Sequence, residues 1–524
     1  MPDRFDFFVK ELLVKILMVY PSYPETFWSF THALKFISKK AAFPPLGLLT
    51  VASMLPEEWE KKVIDMNVTP LTDKDILWAD YVFISAMVVQ KASVKDVITR
   101  CRTLNRKTVC GGPLFTTGYD EFEGMGVDHF VLGEAESTLQ PFLDDLARGE
   151  AKHIYETGDR PGIENTPVPM WSLINLKHYS SLSIQYSRGC PFDCEFCDIV
   201  ILNGHIPRTK GHEQMIAELD AVLKAGWKGG VFIVDDNFIG NKKKLKAETL
   251  PTIVKWSKEH KYPFSYFTEV SINLADDEDL MQMMADANFD RVFIGIETPN
   301  EESLKECNKI PNKGKDLTSA VKTLQNHGFE VQGGFIVGFD SDPATIFKNQ
   351  ITFIQNSGIV TAMVGLLNAP KGTKLYHRML KENRLLDDMS GDNTDFSMNF
   401  IPKMNKEALV KGYHTIVNTI YSPKHYYERV KTFLAEYNPP KIGKMSQFKF
   451  HLIEGFFKSV WILGIRDKGR RYYWKLILST LFKKPRAFPL SVSLAVFGFH
   501  FRKMAERLQL EDTDDFTASN KASA

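Results

Sequence analysis

The sequence predicts an α/β protein made of a doubly wound parallel sheet, a partial TIM-type (β/α)6 barrel and a helical C-terminal domain. Three observations carry this. Strand-like apolar runs alternate with helix-period segments through the first 150 residues, and the alternation resumes with six further strands between residues 179 and 383. Near Arg384 it stops, and helical spacing takes over. Strands alternating with helices imply parallel sheets with crossover helices. The expected parts are a first domain over 13–150, a proline-containing linker over 151–178, a core over 179–383, a basic helical domain over 384–510 and an unstructured tail over 511–524.

In the first part, LVKILMVY (13–20) is a strand ended by Pro21-Ser22-Tyr23-Pro24. PPLGLLTVASMLP (44–56) has helical spacing, while KKVIDMN (61–67) and ADYVFISAM (79–87) read as strands. A helix over Ala92–Leu104 leads to KTVCGGP (107–113), and VDHFVLGEAESTLQPFLDDL (127–146) is a strand followed by a helix. Doubly wound sheets bind ligands at the carboxyl ends of their strands. Ser85, Gly111, Gly112, Gly133 and Glu134 stand there, and the glycines let backbone approach a bulky flat ligand. There is no Gly-x-Gly-x-x-Gly and no phosphate loop, which disfavours a nucleotide.

In the second part the strands are LSIQYS (182–187), GGVFIVDDNFIG (229–240), FSYFTEVSINL (264–274), DRVFIGIET (290–298), FEVQGGFIVGF (329–339) and the start of VTAMVGLLNAPKGTKLY (360–376). Barrels place chemistry at the carboxyl ends of their strands. The polar residues at those ends are Asp235, Asp236, Asn237, Glu269, Glu297 and Asn368.

Directly after the first of these strands comes SRGCPFDCEFCDIVILNGHIPRTK, with Cys190, Cys194 and Cys197 spaced Cys-x3-Cys-x2-Cys. Three thiolates so close can hold three irons of a [4Fe–4S] cube and leave the fourth iron open to a small molecule. A zinc site is the alternative, but zinc usually takes four protein ligands in two separated pairs, and no second cysteine pair exists. The other cysteines, Cys101, Cys110 and Cys307, are isolated and read as buried apolar residues. No disulfide framework is present, so the expected compartment is reducing and the protein oxygen-sensitive.

With Phe196 before the third cysteine, this segment resembles the radical S-adenosylmethionine (SAM) superfamily. The resemblance implies that SAM chelates the open iron and is cleaved to a 5′-deoxyadenosyl radical, with electrons from a flavodoxin or ferredoxin. It also implies that Asp235, Asp236 and Asn237 hold the methionyl amine, and that Glu269 and Glu297 take ribose hydroxyls or the amine. Gly333, Gly334 and Gly338 would face adenine, and Arg208 and Lys210 the methionine carboxylate. In the first part, PPLGLLTVASML, GGPLFT and VLGEAESTL resemble the Rossmann-like cobalamin-binding domain that precedes the core in one class of these enzymes. Its Asp-x-His-x-x-Gly motif is missing, since Asp128 and His129 are adjacent, which implies cobalamin held without a protein histidine. His32 reads as a solvated helix residue. A Rossmann-like fold without this ligand is the competing reading.

Between Lys441 and Arg507, fifteen Lys and Arg face three acids, in a chain whose net charge is only +1. Phe456, Phe457, Trp461, Tyr472, Tyr473, Trp474 and Phe482 are interleaved with them. Basic, aromatic amphipathic helices suit a membrane surface or an anionic lipid substrate. The apolar run 488–501 is too short to span a bilayer. No nucleic-acid module is evident, the start does not read as a signal peptide, and the expected location is cytoplasmic, at the inner membrane surface if the tail docks there. With IVDDNFIG and CEFCDI, this tail resembles the cobalamin-dependent radical SAM branch that includes the hopanoid A-ring methylase and archaeal tetraether-lipid ring synthases. That implies methylation of an unactivated carbon in a lipid-like substrate, with methylcobalamin as donor. Ring closure or C–C coupling without methyl transfer, and a cobalamin-binding regulatory protein, are the alternatives.

Overall fold

In the computed structural model, which describes residues 14–386, 389–392, 394–438 and 450–522, the N-terminal apolar runs pair as one parallel sheet. β1 (Lys15–Tyr20), β2 (Glu60–Asp65), β3 (Tyr81–Ser85), β4 (Lys107–Gly111), β5 (His129–Val131) and β6 (Ile154–Tyr155) lie in the order β2-β1-β3-β4-β5-β6. Both faces are covered. Leu17, Val19, Val82 and Ile84 pack with Val94, Val97 and Cys101, while Ile16, Met18 and Phe83 pack with Leu48, Leu139 and Phe142. Two-sided burial is why these strands read as continuous apolar runs.

The expected helices form at Leu46–Met54, Lys91–Thr103 and Ala135–Arg148. Other elements were not expected, among them the helix Pro113–Gly118. A short helix, Asp73–Trp78, starts from a capping box in which Thr72 Oγ1 accepts from the Asp75 amide and Asp75 accepts from the Thr72 amide. The two-residue β6 lies within the expected linker and is too short to show a period.

The chain divides into two units, Met1–Ser22 with Pro45–Pro161 and Thr166–Asn175, and Tyr23–Pro44 with Gly162–Asn165 and Leu176–Ala524. Tyr23–Pro44 thus joins the second unit, although it falls inside the expected first domain. Its partners are distant in sequence: Phe27 stacks on Phe501 at 4.2 Å, and the Phe27 carbonyl lies 3.0 Å from His500 Nε2.

In the second unit β7 (Leu182–Ile184) is followed by an antiparallel ribbon of β8 (Ser187–Arg188) and β9 (Arg208–Thr209). Then come β10 (Gly229–Ile233), β11 (Phe264–Glu269), β12 (Phe289–Glu297), β13 (Glu330–Val337) and β14 (Ala362–Leu366). With β7 they form a six-stranded parallel sheet in the order β14-β13-β12-β11-β10-β7, the expected partial barrel. Along β11 buried and half-buried residues alternate. The buried set, with Phe264 against Trp256 at 5.4 Å, faces the helices, and the half-buried set faces the concave side.

Helices Lys406–Tyr421 and Pro423–Glu436 pack beside the barrel, tied to it by the buried Arg429. Its guanidinium donates to Gln355 Oε1 at 2.6 Å and to the Val360 carbonyl at 3.1 Å. The last helix runs Phe488–Ala522, in place of the unstructured tail expected from Glu511. Residues 509–522 contain no Gly or Pro to stop it; residues 523–524 lie outside the described residues. Among the described residues no helix is long and apolar enough to cross a membrane.

Candidate active site

The three cysteines sit on the loop between β8 and β9. Gly189 opens it with φ 97°, and a Cβ there would stand 2.8 Å from the Ile206 carbonyl oxygen, so only glycine fits. The Cys190 amide donates to the Gly204 carbonyl at 3.1 Å, the Glu195 amide to that of Cys307 at 3.0 Å and the Cys197 amide to that of Cys194 at 3.2 Å. All three thiols are half-buried. Burial pushes each above the ordinary thiol range; Cys190 raises Cys194 and Cys194 raises Cys197, so they lie within electrostatic reach of one another.

Among the described residues no group of three His, Cys, Asp or Glu converges as the ligands of one ion would; a cube instead takes each thiolate on a different iron. Cys307 is nearby but buried, its thiol donating to the Leu304 carbonyl at 3.8 Å. Three thiols on one loop, with the fourth cysteine turned away, fit a [4Fe–4S] cluster with one open iron. Coordination would deprotonate them. The Phe196 ring packs 6.3 Å from that of Phe339.

The strand-end residues do not act alike. Asp235 is buried, and both its oxygens are engaged just ahead of the cysteine loop: Oδ1 accepts from the Tyr186 amide at 2.8 Å and Oδ2 from Ser187 Oγ at 2.6 Å. Burial pushes its carboxyl up to about 7. Both oxygens expected to face the amine of SAM thus already have protein donors. Asp236 accepts from the Gly189 amide at 3.0 Å and Asn203 Nδ2 at 2.9 Å. Asn237 Oδ1 accepts from the Ser271 amide at 3.2 Å, and its side chain also hydrogen-bonds to Cys190.

Lys210 forms a buried ion pair with Glu218 and is not free for a carboxylate. Asn368 is occupied too: its Oδ1 accepts from the Asn399 amide at 3.1 Å and its Nδ2 donates to the Ser397 carbonyl at 3.1 Å. Arg208 Nη2 donates to the Asn203 carbonyl at 2.9 Å, on the cysteine loop. Gly338 has φ 110°, and its amide donates to Asp342 Oδ2 at 2.9 Å. A Cβ on Gly334 would stand 3.0 Å from the Phe293 ring, whereas one on Gly333 would meet Phe335 and Ile359.

Glu269 is the carboxyl left available. It is half-buried at the end of β11, and among the described residues it accepts no side-chain hydrogen bond and joins no ion pair. Burial, reinforced by Asp236, pushes it up to about 8. A lone carboxyl at a strand end beside the cysteine loop fits the amine or ribose of SAM. Glu297 is buried with φ 63°, a conformation rare for a residue with a side chain, and pairs with Lys309 Nζ at 2.6 Å. Gly295 makes room, since a Cβ there would collide with the Glu297 carboxylate.

Sequence reasoning missed Lys309 and a second set of charges. Burial works against the Lys309 ammonium, but Glu297 and Cys194 hold its pKa above the ordinary lysine range, and it in turn lowers Cys190, Cys194 and Cys197. It is a fixed positive charge beside the three thiols. Arg378 grips Glu195 of the cysteine loop with both arms, at 2.7 and 2.9 Å, and reaches Asp340 at 2.8 Å and Glu306 at 3.2 Å. Burial opposes ionisation of Asp340, but Arg384 and Arg378 hold its carboxyl down at about 2. Bidentate pairs of this kind fix orientation as well as charge.

On the concave side of the barrel an aromatic lining begins two residues before Glu269. Phe232 and Phe267 stack at 4.8 Å, and Phe43 lies 5.4 and 5.9 Å from them. Trp28 meets Phe293 at 5.5 Å, and its Nε1 donates to Met363 Sδ at 3.0 Å. All six side chains are only half-buried.

In the first unit, Ser85, Gly111, Gly112, Gly133 and Glu134 all fall at the carboxyl ends of β3, β4 and β5. Gly112 has φ 87°, and a Cβ on it would collide with Ser85 Oγ. Gly133 has φ 78°, is exposed, and would have only the Thr157 carbonyl at 3.8 Å from a Cβ. This glycine-lined edge fits a flat macrocycle. The unit's two histidines are engaged elsewhere: His129 Nδ1 lies 2.6 Å from the Lys152 carbonyl and His153 Nδ1 2.9 Å from that of Asp128.

Residues 37–143 match the B12 binding domain, 184–345 the radical SAM superfamily and 373–513 a domain of unknown function. The chain is 38% identical to an uncharacterized methyltransferase of Synechocystis sp., over 95% of this chain and 93% of that protein. It is 32% identical to the hopanoid C-2 methylase of Rhodopseudomonas palustris, over 90% of each. In fold it is similar to the cobalamin-dependent SAM radical enzyme OxsB, solved with aqua-cobalamin and SAM, with TM-score 0.61 at 16% identity over 97% of this chain and 81% of that one. It is also similar to the radical SAM methyltransferase TsrM of Kitasatospora setae, solved with cobalamin and a [4Fe–4S] cluster, with TM-score 0.55 at 14% identity over 70% and 78%. The chain therefore belongs to the cobalamin-dependent radical SAM methylase family, an enzyme whose cofactors are a [4Fe–4S] cluster, SAM and cobalamin.

Proposed function

We propose that this enzyme methylates an unactivated carbon of a polycyclic isoprenoid lipid of the hopanoid type. The observation that carries the reading is the half-buried aromatic lining of Phe232, Phe267, Phe293, Trp28 and Phe43, in which Phe267 stands two residues before Glu269 on β11 and Phe293 four before Glu297 on β12. The similarity to the hopanoid C-2 methylase supports it. A saturated carbon offers no nucleophile for ordinary SAM methylation; when bound, the cluster with SAM supplies hydrogen abstraction and cobalamin supplies the methyl group. The protein's part is to hold a flat hydrocarbon against aromatic faces and keep water out. In the same reading Cys190, Cys194 and Cys197 hold the cluster, Phe196 flanks it, and Glu269, Glu297, Gly334 and Gly338 receive SAM. A low-potential flavodoxin or ferredoxin supplies electrons, and the enzyme works in the cytoplasm, attached peripherally to the inner membrane surface where its substrate resides.

Titration with a detergent-dispersed pentacyclic hopanoid alcohol tests the pocket. Tryptophan fluorescence should change saturably, and the change should vanish in Trp28→Phe. Phe293→Ala should weaken binding about tenfold or more, on the scale of one buried aromatic side chain. A response unchanged in both variants would remove the barrel lining as the lipid site.

A further inference from the structure

The domain of unknown function carries a feature that the reaction does not use. Among the described residues, Phe457, Trp461, Ile465, Leu478, Leu481 and Phe482 are large apolar side chains left exposed, Phe457 by 66% and Phe482 by 79%. The first three follow at intervals of four along Phe450–Ser459 and the π-helical Val460–Arg466, and so share a face. The others form one stripe on helix Arg470–Lys483.

These helices make a hairpin. Trp474 Nε1 donates to the Gly464 carbonyl at 2.9 Å, and Ser459 Oγ lies 2.9 Å from Tyr473 Oη. Leu463, Gly464, Tyr473, Leu476, Ile477 and Thr480 are buried, leaving the apolar stripes outward.

Arg466, Lys468, Arg470, Arg471, Lys475, Lys483 and Arg486 are exposed in the same stretch. The one acid between residues 455 and 490, Asp467, is held by Arg502. A second copy of this chain would bring like charges together. A nucleic acid would leave Leu478, Leu481 and Ile465 without a role. Anionic headgroups over hydrocarbon complement both components.

We infer that this hairpin docks the enzyme on a bilayer containing anionic phospholipid, with Phe457, Trp461 and Phe482 entering the headgroup boundary and the arginines and lysines lying against phosphate. This rests on the lipid reading above and gives it a surface. The hairpin would deliver an apolar substrate to the barrel without a passage through water.

Flotation of the full-length protein with phosphatidylglycerol-containing vesicles, against phosphatidylcholine alone, tests it. Binding should require the anionic lipid and weaken with salt. The triple variant Phe457→Ser, Trp461→Ser, Phe482→Ser alters only exposed or stripe positions and should lose flotation. Arg470→Glu, Arg471→Glu and Lys483→Glu together should weaken partition about a hundredfold. Lys484 is left alone because its Nζ donates to the Leu434 carbonyl and, at 3.0 Å, to that of Ala435, a structural cap.

Absence of wild-type flotation, or unchanged flotation of both variants, would overturn the proposal. So would a wild-type dimer that the serine variant converts to monomer, since a second copy would then cover the face. Turnover on detergent-dispersed lipid, measured in the same variants, separates this from the substrate reading. Docking variants should keep it. Flotation without any lipid turnover would fault the substrate, and lipid turnover without flotation would fault the hairpin.

Discussion

Replacing Cys190, Cys194 and Cys197 together by Ala abolishes the cluster's share of the visible absorbance of the anaerobically reconstituted protein and its cleavage of SAM. The loss should be complete, because among the described residues no other cysteine is placed to take over: Cys307 is turned to Leu304, and Cys101 and Cys110 are buried in the first unit. The fold should survive, since the loop is held by its own amides and by Arg378 rather than by the thiols. Iron and sulfide analysis beside circular dichroism checks both halves. A triple variant that keeps a full cluster would show that the ligands lie elsewhere.

Nearly as large an effect is expected at Glu269. Burial puts its folded-state pKa at about 8, well above its unfolded value. Such a group stabilises the folded state below the unfolded pKa, and that contribution is lost as pH rises toward 8, by an amount on the order of a few kcal/mol. Glu269→Gln should therefore raise the melting temperature of the cofactor-free protein at pH 8 to 9 and leave it unchanged near pH 4.

Binding of SAM should run the other way. If Glu269 receives the cationic amine, it must give up its proton, and affinity should rise by up to about tenfold per pH unit between 6 and 8 before levelling off. Calorimetry in buffers of different ionisation enthalpy reads the released proton directly. Wild-type binding that is independent of pH, or a Gln variant that keeps the slope, would assign the amine to another group.

Local features were legible in the sequence. The cysteine spacing needs only eight consecutive residues, and five strands of the first sheet and all six of the second show as apolar runs because helices bury one or both of their faces. What long-range contact decides was not legible. Asp235 sits in a run that points to SAM binding, yet its carboxylate turns back to Tyr186 and Ser187 across the β7–β10 pair. Lys210 reads as a free cation only until Glu218 is folded against it from the middle of the next helix. Lys309 follows a short helix with no motif of its own, and its role appears only where Glu297 and the cysteine loop meet it. Tyr23–Pro44 could not be assigned to the second unit without Phe501 and His500, nearly five hundred residues away.

The most direct measurement follows a labelled methyl group. The reduced enzyme, loaded with cobalamin, is incubated with methyl-labelled SAM and a hopanoid-type lipid, and label, deoxyadenosine and S-adenosylhomocysteine are followed together. A methylase of this kind should place label in the extracted lipid and form both SAM-derived products in step with it. Deoxyadenosine with an unlabelled lipid lighter by hydrogen would contradict methyl transfer and indicate ring closure or coupling instead.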